Sequence, residues 1–104
     1  MELTRGEIRI MHILWTAKRP LTRKDIIELN SDTGWEVSAL HSLLNSLLRK
    51  GAIVEAGISK SGRSIGRLYK ENYSLQDYIV ELLEPVDGLI DYKKLFILLI
   101  QKWE

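Results

Sequence analysis

The chain has 104 residues, 45% of them hydrophobic and 28% charged, a balance that fits one globular domain and excludes a disordered polyelectrolyte. It carries no cysteine, which excludes disulfide scaffolds, thiolate zinc sites and cysteine nucleophiles, and its two histidines cannot build a His-rich metal cage. The small net charge of +1 conceals a division, since residues 1–73 carry 12 Lys and Arg against 8 Asp and Glu while residues 74–104 carry 3 against 6. A basic amino-terminal part beside an acidic carboxy-terminal part points to a polyanion partner for the first and another task for the second.

No cofactor is expected. The longest apolar run, Leu95 to Ile100, is far short of the ~20 residues of a membrane span, and the opening Met-Glu-Leu-Thr-Arg lacks a signal peptide's apolar segment. The expectation is a cytoplasmic protein without membrane association, in which the glycosylation acceptor Asn72-Tyr-Ser74 stays unused.

Thr4-Arg-Gly-Glu7 has the spacing of a capping box, and Ile8, Met11, Leu14 and Trp15 follow as one helical stripe, so a first helix is expected over residues 4–17, closed by Lys18-Arg-Pro20. His12 falls beside that stripe and is read as a structural histidine, while Trp15 and Trp35 are read as packing groups. Thr22 is a plausible N-cap for a short second helix carrying Ile26, Ile27 and Leu29, which stops in Asn30-Ser-Asp-Thr-Gly34. Leu40, Leu43, Leu44, Leu47 and Leu48 then mark a third helix over 37–50, ended by Arg49-Lys50 and by Gly51 in the left-handed capping position.

After Gly51 the period changes. Ile53 to Ile58 and Ile65 to Tyr73 read as two strands joined by a long loop, Ser59 to Ser64. Leu75, Tyr78, Ile79, Leu82 and Leu83 form another helical stripe, broken at Glu84-Pro85, and Tyr92 to Trp103 forms a last, strongly apolar helix. The fold class is therefore mainly α with a small β-hairpin: a winged helix-turn-helix over residues 1–73 and carboxy-terminal helices over 74–104.

Fold alone does not give function, because winged helices also dock proteins. With the leucines facing inward, Ser38, His41, Ser42, Asn45 and Arg49 share the outward face of the third helix. Solvated helix faces ordinarily carry Glu and Lys, yet neither occurs from Val37 through Arg49, and Ser, His, Asn and Arg are the groups that reach base edges and phosphates. Lys60, Arg63 and Arg67 make the hairpin basic, with no acidic residue between Ala56 and Lys70. Thr22, Arg23 and Lys24 open the second helix, where free amides also favour a phosphate. Double-stranded DNA is the expected partner. The competing readings are a protein-docking adaptor or anti-repressor, which would expose apolar anchors where this face offers only Ala39, and a sequence-indifferent nucleic-acid binder, for which +4 is modest. In the tail, Leu95, Phe96, Leu98, Leu99, Ile100 and Trp103 are too many apolar groups for one side of a surface helix, so burial in a homodimer is expected, with packing on the first helix as the alternative.

Gly57 to Ser64 imitates a phosphate-binding loop with Arg63 in the place of lysine, but the strand expected after it removes the helix such a loop requires. His12 and His41 do not suggest an acid–base pair, and no enzyme activity is expected.

Leu3, Thr4, Glu7, Met11, Leu14 and Trp15, then Leu21-Thr22, Ile26-Ile27-Glu28, Gly34-Trp35, Ser38, Leu43-Leu44-Asn45, Leu47 and Lys50-Gly51, hold an ungapped pattern over about fifty residues that resembles the penicillinase-repressor family of the BlaI/MecI type. The resemblance implies a dimeric repressor that covers promoter DNA, with the third helix on bases, the wing on backbone and the carboxy-terminal helices in the dimer, and a two-fold dimer is expected to take a palindromic operator. Ala39, Ser42 and Ser46 depart from the residues usual there, which implies a different operator sequence. The wing is several residues longer before Gly66-Arg67-Leu-Tyr69. Phe96 follows Leu95 rather than the asparagine of the family's cleavage bond, and the cysteines of copper-responsive relatives are absent, which leaves the inducing signal open.

Overall fold

Two threonines set the frame of the amino-terminal half. In the computed structural model, which describes residues 1–30, 37–61 and 64–103, the Thr4 hydroxyl accepts from the Glu7 amide at 3.2 Å while the Glu7 carboxylate accepts from the Thr4 amide at 2.8 Å. This reciprocal cap opens α1, Arg5–Ala17. The same device, not anticipated from sequence, recurs at Thr22 and Asp25 and opens α2, Arg23–Leu29. α3 spans Val37–Lys50, and Gly51 follows it at φ 75° as the capping reading requires.

The buried arc of α1 is Glu7, Ile10, Met11 and Leu14, whereas Ile8 is 39% exposed. Met11 and Leu14 of the expected stripe are buried and Trp15 packs against the core, while Ile8 gives way to Ile10 and to a carboxylate that hydrophobicity alone does not find. His12 is exposed, so the structural role expected for its side chain is corrected; its backbone carbonyl accepts from the Thr16 hydroxyl at 2.7 Å. From α3, Leu40, Leu44 and Leu47 enter the core, flanked by the half-buried Leu43 and Leu48. Leu21, Ile26, Ala52 and Ile53 complete it.

Three antiparallel strands, not two, form the sheet: β1 (Leu21–Thr22), β2 (Ile53–Ser61) and β3 (Ser64–Glu71), in the order β1-β3-β2. Leu21 pairs with Tyr69 and Thr22 with Leu68, a strand too short to show a period in sequence. The expected Ser59–Ser64 loop is largely ladder, with Ser59↔Gly66, Lys60↔Ile65 and Ser61↔Ser64 in register. Glycine, serine and basic residues there had read as turn chemistry, but a ribbon solvated beyond the core needs no apolar alternation. The ladder shifts between Glu55 and Gly57, where Gly57 takes φ 121°, a conformation that favours glycine and suits a bulge. Because strand follows from Ser64, the phosphate-loop likeness has no structural support.

Glu7 is 1% exposed yet charged. Its carboxylate receives the Lys50 ammonium at 2.6 Å, the Ser46 hydroxyl at 2.8 Å and the Thr4 amide, so the start of α1 is tied to the last turns of α3. Burial by itself pushes this carboxyl up; the Lys50 ammonium, the Thr4 amide and the Ser46 hydroxyl together outweigh it and hold the group at about 2, against an ordinary 4.5.

The tail leaves this body. Ser74 caps α4 (Leu75–Leu83), whose Tyr78 is buried beside Trp15 at a ring separation of 6.0 Å, and the Trp15 indole donates to the Tyr73 carbonyl at 2.7 Å. A 3-10 stretch over Glu84–Leu89 holds Pro85 in its first turn, and Asp91 caps α5, Tyr92–Lys102, none of which is buried. The radius of gyration of 16.4 Å exceeds the roughly 13 Å of a compact chain this long, and the longest dimension is 55 Å.

Two stability measurements follow. The Glu7 contribution is complete above its ordinary value of 4.5 and is lost as pH falls through about 2. Glu7→Gln should therefore cost about 3 kcal/mol at neutral pH and flatten the acid limb of the stability curve, measured by urea unfolding from pH 7 to pH 2. Lys18, the C-cap of α1, sits at φ 55°, so Lys18→Gly should stabilise the fold by about 1 kcal/mol in the same assay.

Candidate nucleic-acid interface

The leucines that anchor α3 decide what it shows. With Leu40, Leu44 and Leu47 buried, Ser38, Ala39, His41, Ser42, Asn45 and Arg49 are all exposed, on the outward face expected for them. Asn45 Nδ2 stands 3.2 Å from His41 Nε2. The two side chains thus meet across one turn of α3. Asn45 keeps its Oδ1 and a second N–H, the pair of groups that can meet adenine at once.

Ser46 belongs elsewhere. Half-buried, it donates to the Glu7 carboxylate, so its departure from the family pattern bears on how α3 is held and not on the helix's exposed face. Ala39 and Ser42 do lie on that surface.

At the start of α2, Arg23 and Lys24 are exposed. Thr22 is half-buried, and its hydroxyl oxygen already accepts from the Asp25 amide at 3.1 Å, so its main work is to fix the helix end. Arg19 approaches Asp25 at 3.8 Å across an exposed surface. That contact, with the Thr22 amide as the leading cause, lowers the Asp25 carboxyl below its usual value.

On the wing, Lys60 is exposed. Arg67 is exposed as well but lies 3.2 Å from the Glu55 carboxylate, a pairing that charge counting between Ala56 and Lys70 had missed because it crosses strands. Arg63 and Trp35 lie outside the described residues. The root of the wing is close-fitting, since a Cβ on Gly66 would stand 3.4 Å from Thr22 Cγ2. β3 thus touches the residue that caps α2.

Along α5, Leu95 is half-buried and Phe96, Leu98, Leu99, Ile100 and Trp103 are exposed, Trp103 to 72%, with the Lys102 ammonium 5.3 Å from its ring centre. No group of His, Asp and Glu among the described residues is arranged to hold a metal ion. No helix among them is long and apolar enough to cross a membrane.

These features make an exposed helix of hydrogen-bonding side chains, flanked by a basic strand ribbon and braced on a closed core, and the comparisons with known proteins agree with that picture. No curated protein matches the chain. The family model described as penicillinase repressor matches residues 3–82, the whole helical body, the sheet and nearly all of α4. The chain belongs to the penicillinase repressor family, and is accordingly a winged-helix DNA-binding regulator of transcription, a repressor and not an enzyme.

Proposed function

We propose that the protein is a sequence-specific repressor that binds palindromic promoter operators as a homodimer in the cytoplasm, at the nucleoid. One observation carries this reading: the outward face of α3 is exposed and, Ala39 apart, made of hydrogen-bonding side chains with a single arginine at its end. Such groups approach base edges closely, whereas a docking adaptor would present apolar anchors there. In this reading Ser38, His41, Ser42, Asn45 and Arg49 face the major groove. Thr22, Arg23, Lys24, Lys60, Arg63 and Arg67 serve the backbone.

Residues 1–73 act as the DNA-binding region and residues 74–104 as the dimerisation region. What supports the second assignment is α5, on which Leu95, Phe96, Leu99, Ile100 and Trp103 fall within about 140° of arc while Leu98 lies outside it. An apolar arc of that width, exposed in the single chain, suits a twin helix. Two-fold pairing presents two recognition helices to half-sites about one helical turn apart, or a multiple of it.

Selection of bound fragments from random DNA, followed by footprinting at two salt concentrations, tests the reading. A palindromic motif with a two-lobed footprint supports it, and the absence of any enriched sequence at moderate salt would transfer the assignment to protein docking. On the selected operator, Asn45→Ala and His41→Ala should each cost ~1–3 kcal/mol of discrimination. The double variant should lose less than their sum, because each breaks the same side-chain pair. Lys24→Ala should weaken operator and random DNA alike and reduce the salt slope, as read in titrations at several salt concentrations. Sedimentation should give a dimer at micromolar concentration, converted toward monomer by Phe96→Glu or Trp103→Glu; a wild-type monomer would contradict the dimer.

A further inference from the structure

Two isoleucines stand on the wing where a solvated ribbon could carry polar groups. Ile58 is 65% and Ile65 69% exposed. In register Ile58 faces Arg67 and Lys60 faces Ile65. Partners across an antiparallel pair share a face and alternate residues return to it, so these four side chains form one patch, with the isoleucines on one diagonal and the cations on the other. Following β3 inward, the same face holds Tyr69, which pairs with the fully buried Leu21 and packs on the core. The patch is therefore the outward continuation of the sheet's inner face, on the side where the helices lie. β3 residues Ser64 to Arg67 run past β1, an overhang of roughly 13 Å at ~3.3 Å per residue.

Charge decides what can cover this patch. Between Ala56 and Lys70 the sequence has no acidic residue, and Glu55, at the inner end, is engaged by Arg67. A second copy of the wing would set Lys60 and Arg67 against their like, so self-association through this face is opposed. A polyanion with apolar walls suits both components. The minor groove of DNA offers that combination, with sugars along its sides, phosphates on its rims and the deepest negative potential where A·T pairs narrow it.

We propose that the wing is a minor-groove reader: Ile58 and Ile65 lie against the sugar walls and floor beside the site taken by α3, while Lys60 and Arg67 meet the phosphates on its rims. The assignment rests on the DNA-binding reading above and adds a source of sequence preference to it. Guanine places its N2 amino group on the minor-groove floor, where it obstructs an apolar side chain and loses hydration without a partner. A·T pairs leave the floor clear. The wing thus selects A·T pairs at flanking positions that α3 does not touch.

Inosine separates the two grooves, because an inosine·cytosine pair shows the major groove of G·C but lacks the N2 amino group. Take the operator selected from random DNA and replace the flanking A·T pairs within its footprint by G·C or by inosine·cytosine. The wild-type protein should lose about tenfold in affinity on the G·C flank. On the inosine·cytosine flank it should recover to within about twofold of the original. In the Ile58→Thr/Ile65→Thr variant, which keeps β-branching for the strands, the G·C penalty should fall below about threefold with the salt slope unchanged. If that double variant fails to fold by circular dichroism, Ile65→Thr alone is expected to halve the penalty, and the wild-type inosine comparison needs no variant. Equal losses on G·C and inosine·cytosine flanks, or full discrimination retained by the folded variant, would overturn the wing assignment while leaving operator binding intact. A wild-type protein that selects no DNA would instead remove the underlying reading, and this one with it.

Discussion

The buried carboxylate of Glu7 governs how this winged helix is held together. Glu7 caps its own helix through the Thr4 amide and, from the same two oxygens, receives Ser46 and Lys50 of α3. The apolar contacts between α1 and α3 could slide by a rotamer with modest loss, but a charge inside the core is tolerated only while its partners stay at hydrogen-bond distance. The link therefore fixes the carboxy-terminal turns of α3 against α1, and with them the outward direction of His41, Asn45 and Arg49. Lys50 also donates to the Glu2 carbonyl at 2.7 Å, which fastens the segment ahead of α1 to the same point. In the reading proposed above this face meets base edges, which requires placement to within about half an ångström, and this ionic pin supplies the positional definition that leucine packing alone does not.

Much of the body was legible because its rules are local. Thr4 and Glu7 sit at the spacing of a reciprocal cap, and the α3 leucines repeat at a period that only a helix satisfies, so both helices appear where the sequence places them. The exposed set on α3 then followed by subtraction. What escaped depended on distant partners. Glu7 was read only as a cap because its bonds to Ser46 and Lys50 span 39 and 43 residues. β1 escaped because two residues carry no period, and its pairing partner lies far along the chain. The strand ladder escaped at the outer end of the wing, since polar, glycine-containing sequence signals a turn unless a facing strand is known. The Arg67–Glu55 pair likewise exists only once the register is fixed.

Body and tail differ in how completely they satisfy their own surfaces. Among the described residues the body closes around eleven buried apolar side chains, of which only Tyr78 comes from α4, and that one is seated against Trp15. Beyond Tyr78 the chain exposes Ile79, Val80, Leu82 and nearly every apolar group of α5. An isolated helix of eleven residues is marginal in water, so α5, capped though it is by Asp91, draws its stability from whatever covers it. In the proposed homodimer, folding of the tail and pairing of the tail are one process, and the concentration of protomers sets how much of the tail is ordered.

Thr22 is at once the last residue of β1 and the N-cap of α2, and its methyl lies under Gly66 of β3. Strand, cap and wing root meet in one residue, so a tilt of the ribbon is transmitted to the first turn of α2 with no hinge between them. The ribbon and the helical layer consequently approach a ligand as one body. Fewer relative motions remain to be frozen on contact, and affinity that would otherwise offset lost entropy is retained for discrimination. The same stiffness has a reverse consequence: a displacement imposed at the wing would be felt at Arg23 and Lys24, so the contacts made by the two elements should form and break together.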